Sequence, residues 1–73
     1  MNKTFPLTIS DIKVGQKWLS SDGSGHNVVI KDIKCWDKDH PDSLISYDIF
    51  YEYDDGSVYD KDAWNFQVRF YLS

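Results

Sequence analysis

The chain has 73 residues, 41% hydrophobic and 16% aromatic, and its twelve acids outnumber eight bases to leave a net charge of −4. A chain of this length forms one domain with a small, dense core, because only about 60% of its extended surface is buried on folding. The absence of any run of roughly 20 apolar residues excludes a transmembrane helix, a single cysteine excludes an internal disulfide, and the apolar content excludes intrinsic disorder.

Met1, Asn2, Lys3, Thr4, Phe5 and Pro6 lack the apolar core of a secretory signal. With one cysteine, the expected setting is a reducing cytoplasm, and residues 1–7 are expected to be a flexible N-terminal segment. Residues 8–15 carry cap-like Thr8 and Asp11 and then Gly15, with room for a single helical turn. Residues 16–20, which hold Trp18, form a short strand, expected as an unpaired edge through which the chain stays monomeric or weakly dimerises. Residues 20–25 are a Ser/Asp/Gly loop.

Residues 26–36 form the next strand, but Val28 and Ile30 have one parity and Ile33 and Cys35 the other. A bulge near Lys31 and Asp32 restores both pairs to the core and bends the strand. Residues 37–43 are polar and contain Pro41, which is excluded from a central strand. From residue 44 to 53 the alternation is strict. Ile45, Tyr47, Ile49, Tyr51 and Tyr53 are expected to face the core, with Leu44, Ser46, Asp48, Phe50 and Glu52 outside. A two-residue turn at Asp55 and Gly56 would pair Tyr53 with Val58 and Glu52 with Tyr59, putting Val58 inside and Tyr59 outside. Asp62 caps a single turn that packs Trp64 or Phe66 on the core, and Trp18 and Trp64 are both expected inside. Val68, Phe70 and Leu72 alternate in a closing strand. The expected fold is all-β: a strongly bent antiparallel barrel of about five strands with one or two helical turns, filling residues 1–73 as one domain.

The run Ile12, Lys13, Val14, Gly15, Gln16, Lys17 and Trp18, the Asp22 to Gly25 loop, the strand around Val28, the Tyr53 to Ser57 turn and the segment from Trp64 to Phe70 resemble small SH3-like barrel proteins. They are similar in particular to short uncharacterised bacteriophage and prophage proteins. The resemblance covers roughly residues 12 to 72 and implies a fold and a viral or bacterial source. It brings no catalytic residue. The acidic insertion from Asp37 to Ser43 and the scarcity of arginine depart from it.

No constellation for catalysis emerges. Cys35 with His26 or His40 is a thin nucleophile and base set, and Cys35 reads better as a small buried hydrophobe. One cysteine and two unpaired histidines do not make a zinc site. Asp37, Asp39 and Asp42 begin like a calcium loop, but Pro41 and Asp48 fall where the loop requires an oxygen ligand and a glutamate. Gly23 and Gly25 are not followed by the lysine and helix of a phosphate loop. The chain is therefore expected to be no enzyme and to use no metal or cofactor.

Charge is distributed unevenly. Residues 37–62 hold nine acids and two bases, a balance of −7, whereas residues 1–36 carry five lysines and three acids. An acidic lobe of this kind repels phosphate and attracts basic surfaces. Phe50, Tyr59 and Tyr71, with Trp36 nearby and a rim of Asp48, Glu52, Asp54 and Asp55, are the expected binding patch, since aromatic anchors in a charged rim are the usual anatomy of a protein interface. The expected function is a non-enzymatic protein-binding module, such as a phage-encoded modulator docking on a basic surface of a host protein. Two alternatives are a nucleic-acid-binding barrel using Lys13, Lys17, Lys31 and Lys34, which the net charge disfavours, and an acidic nucleic-acid mimic that blocks a DNA-binding protein.

Overall fold

A computed structural model describes residues 8–72, so the expectation for residues 1–7 lies outside the described residues. The chain is mostly β. Five antiparallel strands, β1 (Lys17–Ser20), β2 (Asn27–Cys35), β3 (Tyr47–Tyr53), β4 (Val58–Asp62) and β5 (Phe70–Leu72), form one sheet in the order β4-β3-β2-β1-β5. A helix, α1 (Ala63–Arg69), connects β4 to β5, and 3-10 turns occupy Ile9–Asp11 and Leu44–Ser46. The sheet does not close into a barrel: β4 and β5 are its two edges among the described residues.

That order corrects the expected edge at residues 16–20. β1 is paired on both sides, with β2 through Lys17↔Val29 and with β5 through Trp18↔Leu72. It offers no open edge for a dimer.

The bulge in β2 falls as the parity requires. Ile30 pairs with Tyr51 and Asp32 with Phe50, leaving Lys31 as the extra residue. Val28 and Ile30 are fully buried on one side of it, and beyond it Ile33 packs against the same core. One inserted residue thus returns Ile33 to the face of Val28 and Ile30, while Cys35 beyond it is half-buried.

The core gathers Ile12, Trp18, Val28, Ile30, Leu44, Ile49, Tyr51, Ala63, Phe66 and Phe70. Its centre is aromatic. Phe66 stacks on Phe70 at 4.8 Å, meets Trp18 edge-on at 5.0 Å and lies 5.2 Å from Tyr51. Such pairs each contribute about 0.5–1.5 kcal/mol beyond the area they bury. The Trp18 indole N–H donates to Gln16 Oε1 at 3.1 Å, and that oxygen also accepts the Lys13 N–H at 2.8 Å. A buried ring therefore keeps its polar atom satisfied.

Four local expectations are corrected. Leu44–Ser46 is a 3-10 turn, not the start of β3, so Leu44 and Ser46 are buried and Ile45 is 56% exposed. The Asp62 turn extends to two helical turns and takes in Val68, so β5 begins only at Phe70. Its cap is as expected: Asp62 accepts the Asn65 N–H at 3.0 Å. Within that helix Phe66 and Ala63 face the core, and Trp64 is 43% exposed. The 3.6-residue period of the helix selects positions 63, 66 and 67 for the inside, which leaves 64 out.

The last correction bears on the site. Gly56 N donates to Tyr53 O at 3.0 Å and Tyr53 N to Ser57 O at 2.8 Å, so the β3–β4 loop takes three residues, Asp54, Asp55 and Gly56. Gly56 closes it at φ +92°, the left-handed position of the three-residue hairpin. The pairs become Glu52↔Val58 and Tyr51↔Tyr59. Each β4 side chain therefore lies on the face opposite to the one expected from a two-residue turn.

Candidate functional site

The seven residues of the expected patch are divided between two faces. Asp48, Phe50 and Glu52 lie half-buried on the outer face of β3, as the alternation requires. Tyr59 does not join them. Paired with Tyr51, it stands on the core side of the sheet, beyond the edge of the core, and is 55% exposed. Tyr71 is exposed on β5 beside Leu19, with β1 and β2 between it and β3. Asp54 and Asp55 are exposed at the hairpin tip between the faces. Trp36 is exposed just beyond the end of β2 distant from that tip.

On the outer face, Asp48 is paired with Lys34 on β2 and Asp62 on β4, and Phe50 with Asp32 and Asp60. The Lys34 ammonium sits over the Phe50 ring at 5.3 Å from its centroid. Burial, and then the hydrogen bond and charge of Asp60, push the Asp48 carboxyl up to about 6. Lys31 Nζ lies 3.4 Å from Glu52 Oε1. The four lysines of the nucleic-acid alternative thus form no continuous basic groove: Lys31 and Lys34 are interleaved with carboxylates, and Lys13 lies in the exposed segment before β1. Among the described residues no three His, Cys, Asp or Glu side chains are grouped to hold a metal ion. Cys35 is half-buried, with Sγ 3.6 Å from Asp37 O.

The outer face carries an open depression lined by Lys17, Val29, Glu52 and Gly56, and the other face carries an aromatic one. Tyr53 meets Tyr59 edge-on at 5.5 Å and His26 edge-on at 5.9 Å. These rings, with Tyr51 behind them and Asp54, Asp55 and Ser57 at the rim, line an open depression at the hairpin end. It continues past Tyr53 into a second groove bounded by Asp22, Asn65 and Arg69. Burial raises both Tyr51, to about 12, and Tyr53, so the depression presents neutral phenols near neutrality. Asp22 and Asp55 stay ionised. Hydrogen bonds from Ser24 and Ser20 lower Asp22 to about 2, and those from Ser57 hold Asp55 below the usual carboxylate range.

Two members of this depression were missed from sequence. The alternation puts Tyr53 on the core face, where it does pack against the core's edge, without disclosing its open side, and His26 enters only as a thin partner for Cys35. The signal for His26 was its parity: it continues the Val28 and Ile30 series, which puts it on the face Tyr53 shares. Comparison with protein-family models, characterised proteins and solved structures finds no match to this chain. No described helix is long and apolar enough to cross a membrane.

Proposed function

We propose that this chain is a non-enzymatic binding module that docks a basic segment of another protein on the shelf formed by Tyr53, Tyr59 and His26. The observation that carries this reading is the exposed Tyr59 ring, held edge-on against Tyr53 beside the Asp54 and Asp55 carboxylates. Phenol rings beside carboxylates suit a lysine or arginine, for which a ring face contributes about 0.5–2 kcal/mol. The SH3-like reading of the fold belongs to this proposal. It is supported by the sheet order, which places β1 between β2 and β5, and by the helix between β4 and β5.

Affinity capture tests the shelf. Proteins retained by the immobilised chain at low salt should be released as salt rises. They should be lost with Tyr59→Ala or with the Asp54→Asn, Asp55→Asn pair, and kept with Tyr71→Ala. Undiminished capture by Tyr59→Ala, or loss through Tyr71→Ala alone, would sink the proposal.

A further inference from the structure

The chain has a second feature suited to the same partner, the outer edge of its sheet. Among the described residues β4 is paired on one side only, with β3. Tyr53 and Ser57 are a hydrogen-bonded pair. In an antiparallel ladder bonded and non-bonded pairs alternate, so the N–H and C=O of Val58 and Asp60 point away from β3. Val58, Tyr59 and Asp60 are all exposed. An edge of this kind is a template for an extended chain.

Charge selects what the template takes. On the outer face Asp48 stands opposite Asp62, with Asp60 beside them, and the cation paired with Asp48, Lys34, lies on the β2 side over Phe50. The one lysine of β4, Lys61, is in register with Ile49 and so belongs to the other face, although its charge reaches Asp62. A second copy of this chain pairing β4 antiparallel about Asp60 would set Asp60 against its own equivalent, and like charges across a strand pair are destabilising. A strand carrying lysine or arginine on that face is attracted instead. On the other face of the same strand alternate residues meet Tyr59, which suits an apolar side chain, and Lys61, which disfavours a second cation there.

The geometry points to strand addition: an extended segment of the partner protein, with basic and apolar residues alternating, pairs with the free edge of β4 and sets its cations against Asp60 and Asp62. This inference rests on the binding-module reading and names how the partner chain lies. Asp48, raised first by burial and then by Asp60 and Asp62, supports it in part, because a cation arriving from the β4 side would offset the charge of those two neighbours.

Isotope-labelled full-length protein titrated with a short end-capped peptide of alternating lysine and valine tests it. Amide exchange at Val58 and Asp60 should slow several-fold. The effect should fade with salt, weaken in Asp60→Asn, and vanish for a peptide with glutamate in place of lysine or proline in place of the central valine. Asp60 is exposed and does not cap α1, so Asp60→Asn should keep the native spectrum. Unchanged Val58 and Asp60 amides, with shifts confined to the His26 and Tyr53 rings, would overturn strand addition and leave the shelf standing. No change at either place would overturn both. Equal protection by the glutamate peptide would overturn the charge argument, and protection that appears with protein concentration alone would assign the edge to a second copy.

Discussion

Asp48, Asp55, Asp62 and Asp22 are chemically identical side chains whose surroundings send them in opposite directions. Asp22 and Asp55 accept hydrogen bonds from neighbouring serines, which favour the charged form. Burial opposes ionisation at Asp62, but the bonds from Asn65 prevail and lower it. Asp48 is instead raised to about 6, first by burial, then by Asp60, with Asp62 adding repulsion and Lys34 opposing it. A carboxyl raised on folding binds more protons in the native state than in the unfolded one, so stability falls as pH rises from about 4 to about 6. Asp48→Asn removes the charge that is penalised. Chemical unfolding should therefore find Asp48→Asn more stable than the parent at pH 7, with an advantage that shrinks at pH 4.5. An identical offset at both pH values would show that Asp48 is not the titrating group.

At the level of elements, the hairpin between β3 and β4 decides which side chains share a face. Its register depends on Gly56, which sits at φ +92° with nothing within 4 Å of where a Cβ would stand. Alanine there meets no neighbour, so its cost is backbone strain alone, about 1–2 kcal/mol. Gly56→Ala should lower the melting temperature by about 4–8 °C for each kcal/mol. Gly56→Asn should lose less, because asparagine tolerates positive φ better. Equal melting temperatures for all three chains would remove Gly56 as the pin of the register. The same element marks the limit of what sequence discloses. Alternation located β3 and the parity break located the bulge, because both depend on side chains meeting one core. Asp55-Gly56 announced a turn without revealing whether two residues or three form it, and that single residue decides on which face Tyr59 stands. The helical extent of α1 was equally hidden, since Val68, Phe70 and Leu72 suit a strand until the packing of Ala63, Phe66 and Gln67 sets the helical period.

Among the described residues, β3, β4 and their hairpin carry six acids against one lysine, Lys61, while β1 and β2 carry three lysines against one acid, Asp32. A uniform mixture would leave binding to contacts alone, whereas this polarity orients an approaching basic protein before it touches. The same field bears on the nucleic-acid alternative. Tight non-specific binding to a phosphate chain requires several cations acting together, each displacing a counterion from the phosphates. Here Lys31 is engaged with Glu52, and Lys34 lies over Phe50 in register with Asp48, so the basic half offers phosphate a broken track. A stacking platform without that track holds bases weakly, because ring contacts supply only about 1–3 kcal/mol per base. An electrophoretic assay near physiological salt should therefore show no retarded band with either single-stranded or duplex DNA. Retardation at submicromolar protein would mean that Lys13, Lys17, Lys31 and Lys34 act together despite the carboxylates between them, and would move the binding surface to the outer face of β1 and β2.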